Sequence, residues 1–189
     1  MAAEFNYYYF KNYFNKSKIE EINYFIEKNF DFFEDENDGA KKEDGSLKKK
    51  SIVKKIYWKK IKHFFNELEP QLYLTNQKHF GYDLYNINDN SLPLFNTYDS
   101  KNKGTYDWHT DVSRLNLMDT KLTVLVNLST EKYEGGEFQM NYGNPKIVKE
   151  FTEPGDVLMF QSIILHKVNP VTQGVRKSLT FFLNGPSFR

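Results

Sequence analysis

Three residues of this sequence have the types and the order needed to hold a divalent metal: His109, Asp111 and, about fifty residues on, His166. His109 and Asp111 lie in Tyr106-Asp107-Trp108-His109-Thr110-Asp111. If that stretch is a strand, the two side chains project from one face, roughly 7 Å apart along the backbone. An imidazole and a carboxylate suit a first-row divalent metal. A second histidine from another strand completes a two-histidine, one-carboxylate face of an octahedron, with three positions left open. His166 sits in the apolar run Phe160–Val168, which reads as a buried strand. Ten residues later comes Arg176-Lys177-Ser178. Arg176 and Ser178 share a strand face and could grip a carboxylate, the arginine bidentately. Each residue alone has a plain alternative: a core histidine, a turn aspartate, half of a salt bridge. The ordered set at matching parities does not.

These groups must be positioned by a chain of 189 residues, a length that suits one domain with a substantial core. With 17 Phe and 13 Tyr, the composition favours strands and filled pockets over coiled coil or disorder. Twenty-six basic against 25 acidic side chains leave no electrostatic footprint for nucleic acid or an anionic membrane. There is no cysteine, so a metal must sit on nitrogen and oxygen ligands. No apolar run has spanning length and residues 1–5 lack signal-peptide character, so a soluble, cytoplasmic protein is expected, a monomer without membrane or nucleic-acid partners.

Residues 5–10 read as a strand. Ser17-Lys18-Ile19-Glu20 has capping-box spacing, and Ile19, Ile22, Phe25 and Ile26 recur at helical intervals, predicting a helix over 18–30. Residues 31–50, acidic at 34–39 and basic at 48–50, read as a solvated loop. A stripe of Val53, Tyr57, Ile61, Phe64 and Leu68 predicts a second helix over 51–68, with His63 on its surface. His79, before Gly81, reads as a surface or capping histidine. From Tyr82 the pattern becomes short strands between turns: 82–88, 92–98, 105–111, 121–129, 137–141, 146–151, 156–161, 164–168 and 175–183. Such spacing indicates a sandwich or jelly roll. In 121–129, Leu122, Val124, Val126 and Leu128 share one face, and Thr123, Leu125 and Asn127 the other. Trp108 should point away from His109 into core, and Gly135-Gly136 should make a tight turn.

The order H-x-D, then H, then R-x-S resembles the 2-oxoglutarate- and Fe(II)-dependent dioxygenases. The surrounding wording, Tyr133–Phe138, Gly155–Phe160 and His166–Arg176, is similar to the prolyl 4-hydroxylase-like branch, in the style of its phage-encoded and bacterial members. The likeness is strong over residues 80–189 and weak before them. It implies a mainly β fold, a double-stranded β-helix with two N-terminal α-helices packed outside. Residues 1–79 would then be helical support and 80–189 the catalytic core of a single domain, 1–189.

The resemblance further implies Fe(II) on His109, Asp111 and His166. 2-Oxoglutarate would chelate that metal and set its distal carboxylate on Arg176 and Ser178; O₂ is consumed, and ascorbate would be supportive. Tyr98 stands near a position where the family carries a pocket tyrosine, as does Tyr106, which core packing explains equally. Val168 would pack against the co-substrate. Asn127 occupies a place where prolyl hydroxylases often carry a tyrosine, and its amide can still donate. Loops 99–104 and 112–120 would flank the pocket mouth, as lids or as ordinary hairpin loops, with Arg114 the one arginine there. The implied reaction is hydroxylation of a prolyl residue in a peptide or protein, within the host cell if the chain is phage-encoded. The alternatives are oxygenation of a free amino acid or other small molecule, and a non-catalytic metal-binding jelly roll. The latter has no use for a buried guanidinium opposite the metal. A nucleic-acid demethylase lacks support in the charge distribution, and an intact Asp111 argues against halogenation.

Overall fold

The computed structural model describes residues 6–29, 45–112, 114–115 and 118–187. In chain order its strands are β1 (Tyr7–Phe10), β2 (Lys49–Lys50), β3 (Ile52–Lys55), β4 (Leu94–Asp99), β5 (Thr105–His109), β6 (Arg114–Leu115), β7 (Met118–Asn127), β8 (Glu134–Gly135), β9 (Phe138–Asn141), β10 (Pro145–Ile147), β11 (Val157–Gln161), β12 (Leu165–Val168), β13 (Val171–Gln173) and β14 (Val175–Pro186). The larger sheet runs β1-β11-β7-β14-β4-β3, with β6 hairpinned onto β7. The smaller runs β10-β9-β12-β5-β2, and β13 pairs with β8 alone. The pairings are antiparallel throughout, and the result is the mainly β jelly roll that the strand spacing and the resemblance pointed to.

Alternation along the central strands creates three layers. Leu122, Val124 and Val126 of β7, Leu179, Phe181 and Leu183 of β14, and Val157 and Met159 of β11 join a core with the helices. The opposite parity, Leu125, Leu158, Phe160 and Tyr98, joins a second core with Phe138 and Met140 of β9 and Val168 of β12. The functional residues lie beside this second core, between the sheets.

Helix α1 (Lys16–Asn29) buries Ile19, Ile22 and Ile26 against the larger sheet. Each such burial contributes roughly 1.5–3 kcal/mol, so three hold the helix firmly. Its start differs from the expected capping box at Ser17. Asn15 Oδ1 accepts the Lys18 N–H at 2.9 Å, and the helix begins two residues earlier, at Lys16.

The continuous helix expected over 51–68 does not form. Residues 52–55 are strand β3, paired with β4, and the helical part comes later and in pieces: α2 (Trp58–Ile61), a 3₁₀ turn (Lys62–Phe64), α3 (Leu68–Thr75) and a π turn (Asn76–Phe80). Tertiary pairing decides here: Ile52-Val53 satisfies the open edge of β4, and Val53 is buried as a strand residue. The first 79 residues therefore supply strands to both sheets, β1 and β3 to the larger and β2 to the smaller, as well as helices. Residues 82–88, expected as a strand, run irregularly over the core, tied by Tyr85 N–H to Asn184 O and by the Tyr73 hydroxyl.

Gly155-Asp156 sets the entry to β11. Gly155 has φ +84°, and a β-carbon there would lie 1.9 Å from Phe14 O. The buried Asp156 carboxylate accepts the backbone N–H groups of Asn12, Thr152 and Glu153 and the Lys11 ammonium. The segment 99–104 is a 3₁₀ turn capped by Asp99, whose Oδ1 accepts the Lys101 N–H. Of 112–120, the strand β6 forms a hairpin with β7, and residues 113, 116 and 117, together with the acidic stretch 34–39, lie outside the described residues.

Candidate metal centre and anion pocket

The candidate ligands come from two neighbouring strands and the residue stretch that follows one of them. His109 of β5 lies opposite His166 of β12. Asp111 falls two residues past the end of β5, so strand parity alone does not aim it; its N–H donates to Ser162 O at 2.9 Å, pinning it to the turn between β11 and β12. Asp111 Oδ1 is 3.6 Å from His109 Nε2, and Oδ2 is 3.3 Å from His166 Nε2. The three donor groups lie within 4.8 Å of one another. Adjacent donors about 2.1 Å from a metal are about 3 Å apart in an octahedron, so the set fits one divalent ion on a shared face.

Both imidazoles are oriented from behind. His109 Nδ1 is 2.7 Å from Asp107 O and His166 Nδ1 is 2.8 Å from Ile164 O. A carbonyl can only accept, so each Nδ1 carries the hydrogen and each Nε2 presents its lone pair to the metal position. Burial, then the neighbouring His166, pushes His109 down to about 3, keeping it neutral and ready to ligate. Burial pushes Asp111 up, but the facing His166 and His109 and the Thr123 hydroxyl outweigh it, and the carboxyl ends below its usual range.

Thr123 Oγ1 donates to Asp111 Oδ2 at 2.9 Å and lies 3.0 Å from Ser162 Oγ. Thr123 and Ser162 were not among the expected site residues. The signal available was a hydroxyl on the inward parity of an otherwise apolar strand.

Strict alternation also fails in β5, with consequence. His166 pairs with His109 but Val168 with Tyr106, so three residue steps of β5 face two of β12. The extra residue is a β-bulge, which turns Tyr106 and His109 to the same side. Their rings stack at 3.4 Å, and Tyr106 lines the cavity. Trp108 does not enter the core; it is half-buried beneath the Lys167 ammonium, 5.0 Å from its ring.

Across a cavity of about 200 Å³ from these ligands stand Arg176, Ser178 and Tyr98, and Val168 also lines it. Arg176 and Tyr98 are cross-strand neighbours on β14 and β4, with the guanidinium carbon 5.4 Å from the tyrosine ring. Arg176 is 2% exposed, its Nη1 is 3.4 Å from Ser178 Oγ, and among the described residues no carboxylate lies within ion-pair distance of it. A buried charge without a counter-ion costs several kcal/mol. The place is built for an anion that arrives from outside. Gly136 makes room for this arginine: a β-carbon there would meet Arg176 Cδ at 3.0 Å. Burial raises the Tyr98 phenol to about 12, so it remains a neutral donor in the pocket.

Asn127 is not in the cavity wall. Its Nδ2 donates to Thr152 O and its Oδ1 accepts the Ser129 N–H, so the amide is spent on the turn before β11 and the expected role in co-substrate binding has no geometric basis. His63 and His79 stand apart from the centre, against Phe64 and Tyr8 respectively. Lys49, expected in a solvated loop, is buried in β2 and lines the cavity. A lysine inside a run of three gives no sequence signal for that.

Residues 93–184 match the model of the 2OG-Fe(II) oxygenase superfamily. A PKHD-type hydroxylase, YbiX, of Escherichia coli O6:K15:H31 is 37% identical over 94 residues, covering 46% of this chain and 40% of that protein. The chain thus spans about two-fifths of the length of that curated relative. Among solved structures, a Pseudomonas putida prolyl-4-hydroxylase superposes with TM-score 0.68 at 15% identity, covering 96% of this chain and 94% of that one. A Trichoplax adhaerens prolyl hydroxylase, in complex with a hypoxia inducible factor oxygen degradation domain peptide fragment, superposes with TM-score 0.66 at 14% identity, covering 94% and 83%. At these identities the structural likeness is one of fold.

Proposed function

We propose that this chain, whose residues 93–184 match the model of the 2OG-Fe(II) oxygenase superfamily, is an Fe(II)- and 2-oxoglutarate-dependent hydroxylase acting on a prolyl residue of a peptide or protein. The observation that carries the oxygenase reading is the buried Arg176 guanidinium, without a counter-ion among the described residues, across the cavity from a two-histidine, one-carboxylate set. His109, Asp111 and His166 would hold the metal. Arg176, Ser178 and Tyr98 would hold the distal carboxylate of 2-oxoglutarate, Arg176 by charge and fork, the hydroxyls by donation.

When bound, iron and 2-oxoglutarate supply the oxidation: one atom of O₂ enters an aliphatic C–H bond of the substrate, the other enters succinate, and CO₂ leaves. The chain's own residues orient the components and exclude water. Asp107 O and Ile164 O fix the imidazoles, Thr123 fixes the carboxylate, and Val168, Leu125 and Phe138 give the cavity apolar walls. No side chain is required to take a proton from carbon.

The prolyl substrate is supported by the resemblance around Tyr98–Asp111 and Gly155–Arg176 and by the prolyl hydroxylases that share the fold. Proline-rich segments already favour an extended form and lose little entropy on docking. The test is 2-oxoglutarate consumption with Fe(II) and ascorbate, coupled to a gain of one oxygen in the target. Free proline, free lysine and proline-containing peptides are compared. Coupled turnover of peptides is expected. Turnover of a free amino acid with none on any peptide would overturn the peptidyl reading and leave the oxygenase reading standing.

A further inference from the structure

Strand β14 shows four side chains to the cavity at two-residue steps: Arg176, Ser178, Thr180 and Phe182. Each step advances roughly 7 Å along the wall. Exposure rises in that order, from 2% at Arg176 to 8% at Thr180, and Phe182 is half-buried. The neighbouring strand β4 repeats the gradient, with Tyr98 and Asn96 buried and Leu94 half-buried. The mouth therefore lies at the Leu94 and Phe182 end of this wall. A substrate entering there passes Thr180 before it reaches the anion pocket at Arg176.

The hydrogen bonds around Thr180 set the direction of its hydroxyl hydrogen. Asn96 Nδ2 donates to Leu94 O at 3.1 Å and to Thr180 Oγ1 at 3.2 Å. A backbone carbonyl only accepts, so the amide nitrogen of Asn96, not its oxygen, faces both groups. Thr180 is thus the acceptor of this pair, and its own hydrogen is left to be used elsewhere. Thr180 makes no other side-chain hydrogen bond among the described residues. A hydroxyl in a buried cavity wall with its hydrogen unspent is a donor held ready for a ligand.

2-Oxoglutarate has its own partners in the reading above: Arg176, Ser178 and Tyr98 for the distal carboxylate and the metal for the other end. Thr180 stands one step nearer the mouth than Ser178, on the route of the primary substrate. A prolyl residue in a chain has no N–H, so the polar groups it offers are carbonyl oxygens, and those require a donor. We propose that the Thr180 hydroxyl donates a hydrogen bond to an oxygen on the carbon next to the oxidised ring. That oxygen is the prolyl carbonyl of a peptide, or the carboxylate of a free residue. The inference rests on the hydroxylase reading and deepens it. Asn96 is the positioning residue, because its amide holds Thr180 as acceptor and turns the hydroxyl hydrogen away from β4.

The experiment measures binding without turnover, by calorimetry on protein loaded with Mn(II) and 2-oxoglutarate in the absence of oxygen. The probes are an end-blocked Gly-Pro-Gly peptide, its twin with a thiocarbonyl at the proline, and free L-proline. Binding of the peptide or of free proline to the unaltered protein identifies the source of the oxygen. Thr180→Val removes the hydroxyl and keeps the shape, and should weaken the bound probe about tenfold. It should leave 2-oxoglutarate affinity unchanged, and Thr180→Ser should retain the affinity for the probe. Where the peptide binds, sulfur should weaken it on the unaltered protein and cost nothing further on Thr180→Val, since both changes remove one bond. Thr180→Ala repeats the comparison should the valine variant not fold.

Probe affinity unchanged by Thr180→Val overturns the proposal, as does failure of the unaltered protein to bind either the peptide or free proline. So do peptide twins that bind the unaltered protein equally, or a Thr180→Val protein weakened toward 2-oxoglutarate. Failure of the hydroxylase reading shows differently, as an absence of coupled oxygen incorporation while these binding differences stand.

Discussion

Replacing Thr123 by Val removes one hydroxyl and leaves the shape of a fully buried side chain nearly unchanged. That hydroxyl donates to Asp111 Oδ2 at 2.9 Å and meets Ser162 Oγ at 3.0 Å. A hydrogen bond to a charged group contributes about 1.5–3 kcal/mol. Loss of a group that orients a metal ligand costs about 10–100-fold in metal affinity, or roughly 1.4–2.7 kcal/mol. The two magnitudes agree, so the expected result of Thr123→Val is a ten- to hundredfold weaker Mn(II) complex, with the carboxylate free to rotate away from the imidazoles. Thr123→Ser keeps the donor and should keep most of the affinity. The assay is calorimetric titration near neutral pH, with circular dichroism and a thermal melt to establish that both variants fold. A well-folded Thr123→Val protein that binds Mn(II) as tightly as the parent would refute the idea that this hydroxyl sets the ligand's orientation.

Removing a metal ligand should be more severe: His109→Ala, Asp111→Ala and His166→Ala each lose most iron-dependent 2-oxoglutarate turnover, while His63→Ala and His79→Ala retain it. Near-normal turnover of the His166 variant would contradict the assignment. Arg176→Lys keeps the charge but loses the planar fork, so the KM for 2-oxoglutarate should rise about tenfold, and Arg176→Met should be worse; unchanged KM in both would put the anion elsewhere. In the metal-free protein, the folded His109 stays neutral down to about pH 3, while the unfolded chain takes up a proton near 6.5. The unfolded state then binds more protons across that window, so stability is complete above pH 6.5 and falls as pH drops toward 3, by up to about 1.4 kcal/mol per unit from this residue. Urea midpoints across that window should show the fall, and His109→Asn should flatten it; an equal slope in both proteins would count against the cause.

The sequence by itself determined the residues with chemistry to offer and the faces on which the strong strands would show them. In β7 from Leu122 to Asn127 and in β14 up to Leu183 the register holds without a bulge, so Leu122, Val124 and Val126 were legible as core, and Arg176 with Ser178 as one inward pair. Period-two patterning survives where both faces of a central strand are covered, because a slip would bury polar groups and expose apolar ones.

What only the tertiary structure decided are the places where a local rule met a stronger neighbour. Residues 52–55 have a helix-compatible stripe, yet the unpaired edge of β4 recruits them as a strand. The bulge in β5 is a matter of register against β12, and it is what turns Tyr106 toward His109 and Trp108 outward. Asp111 is aimed by the Ser162 carbonyl and the Thr123 hydroxyl, neither near it in the chain. Asn127 is taken by Thr152 and Ser129. Lys49 is buried because β2 happens to extend β5 at the cavity wall. A hydrogen bond or pairing between residues far apart in sequence leaves no periodic trace in either, so the aim of these groups appears only when the sheets are assembled.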